Sequence, residues 1–198
     1  GLWEVFVGDA GGSDSRLYRQ VNGETFMRAQ AFGLPGVVSA QWFDADQDGI
    51  FDLLATQAIG GAHVLYGING GWGGGSVDEA GLVTLRVADS SSATIAVAGD
   101  VDADTWQDVI VSSLGTSEAI LNLGAWENFD EPFANLTGEL ELGSASGRTL
   151  GTTTADFNSD GDVDLFLGRE IDAGRFFQTT QPNAEATDLP VNTWLGVR

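Results

Sequence analysis

Cysteine is absent from all 198 residues, so neither a disulfide framework nor a thiolate metal site can form. That does not exclude export, because a calcium-bound fold can do without disulfides. Lysine is absent too: the eight basic residues are all arginines, set against 29 acidic ones, for a formal charge of −21. With no basic patch to release counterions from phosphates, nucleic acid is excluded as a partner. Histidine occurs once, at His63, with no patterned Ser nearby, and it is read as a plain strand residue rather than a catalytic or zinc-binding one. No apolar run reaches the ~18 residues a membrane helix needs, so no membrane insertion is expected. Helical periodicity is scarce, and 28 glycines weigh against helices.

What the chain does have is an acidic pattern, DxDxDGxxD, in three copies that start 56 residues apart: residues 44–52, 100–108 and 156–164. A fixed period means that one structural unit is repeated together with its chemistry. Twelve of the 29 acidic residues lie in these segments, so the acidity is largely a metal-binding property. Four carboxylates within nine residues repel one another by roughly 1 kcal/mol per close pair even in water, and a bound cation removes that cost. Calcium is the guest of choice, since it accepts 6–8 hard oxygen ligands at about 2.3–2.6 Å in flexible geometry, whereas magnesium demands a strict octahedron. Three bound ions would bring the net charge from −21 to −15.

The expected side-chain ligands are Asp44, Asp46, Asp48 and Asp52 in the first loop, with the carbonyl of Ile50 at position seven. In the second they are Asp100, Asp102, Asp104 and Asp108, with the Trp106 carbonyl. In the third they are Asp156, Asn158, Asp160 and Asp164, with the Asp162 carbonyl. Gly49 and Gly161 occupy position six, where the chain turns sharply, and Thr105 stands there in the middle copy. An EF-hand opens in the same way but closes with Glu at position twelve and is flanked by helices. Here position twelve is Ala55, Val111 or Leu167, and each loop runs into an apolar, β-rich segment: Asp52-Leu-Leu-Ala-Thr, Asp108-Val-Ile-Val-Ser and Asp164-Leu-Phe-Leu-Gly.

Residues 1–8 match the second half of the same motif, aligning with 161–168 but lacking the leading acidic triplet, so the sequence is expected to start inside a repeat. Further apolar runs follow each loop, at 16–21, 63–68, 119–123 and 175–179, then at 83–88 and 94–98, with Asn22-Gly23 marking a hairpin turn. Four short strands per ~50 residues describe a propeller blade. The expectation is an all-β fold: a single β-propeller domain of about four repeats over residues 1–198, divided at 1–43, 44–99, 100–155 and 156–198. It either closes as a small ring or is a fragment or subunit completed by a neighbouring chain, in which case open edges favour assembly into filaments.

The loops, with the segments SRLYRQVNGETF and FDADQDGIFDLL, resemble the FG-GAP/VCBS repeats of integrin-type calcium-binding propellers. The terminal NTWLGVR is similar to the opening of the ASPIC-type domain that follows such repeats in one branch. This resemblance implies an extracellular or cell-surface module for adhesion or scaffolding, without catalysis; the open edges point to other protein chains or copies of itself as partners. A carbohydrate-binding module is the alternative, with tryptophans at 3, 42, 72, 106, 126 and 194 as packing residues or sugar-stacking rings. A calcium-dependent polysaccharide lyase is a further alternative, although one His, two Tyr and no Lys leave few candidate bases. Gly70–Gly75 lacks the Lys-Ser/Thr of a phosphate loop, and Asn135-Leu136-Thr137 forms a lone glycosylation sequon.

Overall fold

The computed structural model describes residues 3–59, 61–67, 82–85, 93–113, 117–124, 133–135, 149–170 and 174–178. Within them the chain is all-β, with no helix. The fourteen strands are β1 (Glu4–Val7), β2 (Asp14–Gln20), β3 (Phe26–Pro35), β4 (Val37–Phe43), β5 (Asp52–Gln57), β6 (Gly61–Leu65), β7 (Leu82–Leu85), β8 (Ala93–Gly99), β9 (Asp108–Ser113), β10 (Ser117–Asn122), β11 (Phe133–Asn135), β12 (Thr149–Ala155), β13 (Asp164–Arg169) and β14 (Arg175–Phe177). They form four antiparallel meanders in chain order: β1-β2-β3, β4-β5-β6-β7, β8-β9-β10-β11 and β12-β13-β14. Trp72, Trp126, Trp194, the 70–75 glycine segment and residues 191–198 lie outside the described residues.

The sheets straddle the acidic loops. The strand before each loop pairs with the strand after it, in the same register each time: Phe43 opposite Asp52, Gly99 opposite Asp108, and Ala155 opposite Asp164. Each sheet therefore begins one strand earlier than a repeat counted from its loop. In the first sheet, Asn22 closes the β2-β3 turn as expected: its Oδ1 accepts the N–H of Thr25 at 2.9 Å, with Gly23 at φ +83°.

Why β5 and β9 read as continuous apolar runs is plain from their surroundings. Leu53 and Ala55 of β5 join Leu17, Leu34, Val37 and Leu65 in a cluster between the first and second sheets. The intervening Leu54 points the other way, into a cluster with Ala62, Val64, Ala96, Val109 and Val111 between the second and third sheets. Ile110 of β9 faces opposite to Val109 and Val111, meeting Leu165 and Leu167 between the third and fourth. A strand buried on both faces loses the polar alternation of a half-exposed one. Each fully buried Leu, Ile or Val contributes about 1.5–3 kcal/mol, so these three seams hold the stack together.

Polar bonds also cross the seams. The Ala98 N–H of β8 donates to Gln41 Oε1 of β4 at 3.1 Å, and the Ala98 carbonyl accepts from Thr154 Oγ1 of β12 at 3.0 Å. Ser112 and Thr152 share a hydroxyl bond of 2.7 Å, buried between the third and fourth sheets. His63, on β6 and 7% exposed, bonds through Nε2 to Gln57 Oε1 at 2.7 Å, and Gln57 Nε2 donates to the Pro35 carbonyl of β3.

Candidate metal centres

The three acidic loops share one backbone path. Position four lies in the left-handed region each time: Gln47 at φ +57°, Ala103 at +61° and Ser159 at +63°. Position six does too, with Gly49 at +83°, Thr105 at +82° and Gly161 at +97°. Glycine visits this region without strain, whereas a β-branched side chain rarely does. Thr105 therefore takes the same turn as its glycine counterparts and carries strain in doing so.

Short side-chain-to-backbone bonds hold the path. The first Asp of each loop accepts the N–H of position six: Gly49 to Asp44 at 3.1 Å, Thr105 to Asp100 at 2.9 Å and Gly161 to Asp156 at 3.1 Å. The residue at position five accepts from position seven: Ile50 to Asp48 at 2.7 Å, Trp106 to Asp104 at 2.8 Å and Asp162 to Asp160 at 3.0 Å. Such local bonds are why Asp and Asn suit turns of this kind.

Position nine has a second task. Asp52, Asp108 and Asp164 are essentially inaccessible to solvent, and each takes the N–H of position two across the loop: Ala45 at 2.6 Å, Val101 at 2.8 Å and Phe157 at 3.0 Å. Asp52 also accepts the N–H of Gly67, just past β6, and Asp108 that of Asn122, the last residue of β10, both at 2.8 Å. Burial pushes both carboxyls up to about 7, with the amide bonds pulling the other way and neighbouring loop carboxylates adding to the rise. Position two plugs the loop into the core: Ala45 belongs to the cluster between the second and third sheets, and Val101 to that between the third and fourth.

Among the described residues, two sets of carboxylates converge closely enough to hold a metal ion. Oxygens of Asp44, Asp46 and Asp48 lie within 4.8 Å of one another, as do those of Asp100, Asp102 and Asp108. Two ligands on opposite sides of a cation at about 2.4 Å are separated by about 4.8 Å, so each set fits one ion of that size. Crowding has an electrostatic signature. Asp46 and Asp102 are both raised above 3.8, first by burial and then by the charges of their neighbours, Asp48 and Asp44 in one loop and Asp104 and Asp100 in the other. Asp44 Oδ1 is buried, and no donor among the described residues reaches it. A buried carboxylate oxygen without a donor is costly, and a cation satisfies it. The third loop has Asn158 where the others have Asp; its Nδ2 donates to Asp160 Oδ2 at 2.7 Å, so an amide takes the place of one charge.

The loops also touch each other. Gln47 Nε2 of the first donates to the Thr105 carbonyl of the second at 2.8 Å. Asn122, fully buried at the end of β10, donates through Nδ2 to the Ala45 carbonyl of the first loop at 2.7 Å. Neither residue stands out in the sequence, where both read as ordinary polar positions. Comparison with protein-family models finds no match for this chain, and comparison with curated proteins finds none either.

Proposed function

We propose that the chain is a calcium-stabilised, non-catalytic module of the β-propeller type, similar to FG-GAP/VCBS repeats, that serves as an adhesion or scaffold unit outside the cell. The observation that carries this reading is the threefold recurrence of one loop with one backbone path, one register and one buried strut at position nine. Asp44, Asp46, Asp48 and Asp52 hold the first ion, Asp100, Asp102, Asp104 and Asp108 the second, and Asp156, Asn158, Asp160 and Asp164 the third, with carbonyls from Ile50, Trp106 and Asp162. An all-oxygen, carboxylate-rich donor set of this kind selects calcium, and modules working at the calcium levels outside cells need only modest affinity. The face-to-face order of the four meanders, with β4, β8 and β12 bonded through side chains, supports four blades.

A non-catalytic role agrees with the setting of the one histidine, buried in β6 against Gln57 and far from the form of an exposed base. The natural partners are protein chains, including further copies of this one. A glycan-binding role is the second reading, favoured by Trp3, a residue 72% exposed whose indole is of a kind suited to stacking on a sugar. An array of glycans separates the two, since an adhesion module that works through protein contacts leaves it blank.

The calcium reading is tested by melting the full chain with and without a chelator. At ~1 mM free calcium and a Kd near 10⁻⁵ M, mass action adds about 2.7 kcal/mol per site, a large part of the stability of an ordinary domain. The expected result is a fall in melting temperature of ten degrees or more on chelation. A melting curve indifferent to the chelator would end the proposal.

A further inference from the structure

Two of the three acidic loops are joined by a continuous run of hydrogen bonds that begins and ends on their buried position-nine carboxylates. Asp52 Oδ2 accepts the N–H of Ala45 at 2.6 Å, and the carbonyl of the same residue accepts Nδ2 of Asn122 at 2.7 Å. The backbone N–H of Asn122 then donates to Asp108 Oδ1 at 2.8 Å. Asp52, Ala45, Asn122 and Asp108 are all at most 1% exposed, so water does not compete for any of these bonds. Asn122 is also fixed from two more sides, its Nδ2 reaching the Gln107 carbonyl at 3.3 Å and its Oδ1 accepting the Gly124 N–H at 3.1 Å. At the surface, the bond from Gln47 to the Thr105 carbonyl forms a second link, from position four of one loop to position six of the other. Thr105 in turn donates its N–H to Asp100, the first residue of the second loop.

We infer that the cation sites of the first and second loops are coupled, and that Asn122 and Gln47 are the positioning residues that couple them. The inference rests on the reading of these loops as cation sites. A cation drawn into the first loop fixes the path of residues 44–52, and with it the Ala45 carbonyl and the Gln47 side chain. Those two groups hold Asn122 and the Thr105 carbonyl, which set Asp108 and the turn at position six of the second loop. The cost of ordering the second loop is then partly met when the first is filled, and the second ion binds more tightly. Reciprocity requires the same factor in the other direction. Rigid burial makes the link stiff, since a packed core passes on a displacement instead of absorbing it.

The test is a calcium titration of the full chain, stripped of metal, followed site by site through the backbone amide resonances of Gly49, Thr105 and Gly161. Asp48→Ala removes the first site and Asp104→Ala the second. The expected result is that each variant weakens calcium binding at the intact neighbouring loop by the same factor, at least about fivefold, the lower end of ordinary allosteric coupling. Gln47→Asn keeps a residue that tolerates a positive φ but shortens the reach to Thr105, and it should reduce that factor while leaving the melting temperature of the metal-free chain nearly unchanged. Asn122→Ala keeps the N–H to Asp108, removes the side-chain bond to Ala45 and should reduce the factor further; Gln47→Asn carries the test if Asn122→Ala fails to fold. Calcium binding that is intact but independent at the two loops overturns the coupling and leaves the calcium reading standing. A coupling factor untouched by both variants overturns the roles of Asn122 and Gln47. No calcium binding at any loop overturns the coupling together with the reading on which it rests.

Discussion

Replacing Thr105 with glycine should stabilise the protein, although the change removes a side chain and loosens the unfolded chain. Thr105 sits at φ +82°, within a degree of Gly49 at the equivalent position, and its side chain is exposed, so no packing is lost. Its two backbone bonds, to Asp100 and from Gln47, involve only main-chain atoms that glycine also has. An L-residue in the left-handed region carries about 1–2 kcal/mol of strain. Glycine gives back about 0.4–1 kcal/mol through the greater freedom of the unfolded chain. At the middle of both ranges the net gain is about 0.8 kcal/mol. For a chain of 150–250 residues, where each kcal/mol moves the midpoint by about 2–4 °C, that is a rise of about 2–3 °C. Differential scanning calorimetry on the metal-free chain measures it, with Gly161→Thr as the reciprocal change, expected to cost a similar amount. If the second loop reaches this conformation only when filled, the gain appears as tighter calcium binding instead, by up to about fivefold. A Thr105→Gly variant that is less stable and binds calcium no better would refute the assignment of strain.

The metal-free chain should become more stable as the solution is acidified from about pH 8 to about pH 5. Asp52 and Asp108 ionise near 7 in the fold against 3.8 in the free side chain, so between those values the folded state holds protons that the unfolded state has released; the stability is present at low pH and lost as pH rises through 7. Saturating calcium should reverse the slope, because protons compete with the ion for the same oxygens; thermal melts at several pH values check both signs, and a flat profile without metal would count against the buried carboxyls. Gly124→Ala should cost about 1–3 kcal/mol by denaturant titration, since a Cβ there would lie 2.6 Å from the Trp106 indole and at a φ of +63°; a neutral result would mean that the indole moves freely aside.

The strands that were legible each have a local signature, whereas β3, β4, β11 and β12 were not picked out. β5, β9 and β13 announce themselves as apolar runs directly after an acidic loop, and the β2-β3 hairpin as Asn22-Gly23. Position six was legible as a turn in the two loops where it is glycine, whereas Thr105 left the geometry of the middle loop open until its φ of +82° matched theirs. Other features were hidden by distance along the chain. Ala45 and Asn122 are 77 positions apart, and Gln47 and Thr105 are 58 apart, so no local pattern marks their contacts. Position nine reads as one more acidic ligand, yet its burial and its two amide bonds in Asp52 and Asp108 make it a strut as well, a role that depends on the sheet packed behind it. The run at 94–98 reads in the sequence as the end of the repeat 44–99, while its hydrogen bonds tie β8 to β9 beyond the next loop. Apolar alternation tells which face a strand buries but not which neighbour it pairs with.

The bonds at Ala98 bear on how such a chain avoids unwanted company. An unpaired strand margin is a template on which a stranger's backbone can add itself, the first step towards amyloid. Among the described residues β8 pairs with β9 on one side only, and at Ala98 the remaining amide and carbonyl are already taken by Gln41 and Thr154. Any intruding segment would first have to displace both side chains. Protection against misassembly is thus written in the neighbouring sheets rather than in β8 itself, so mutations at 41 and 154 would reveal a tendency to aggregate that β8 alone does not betray.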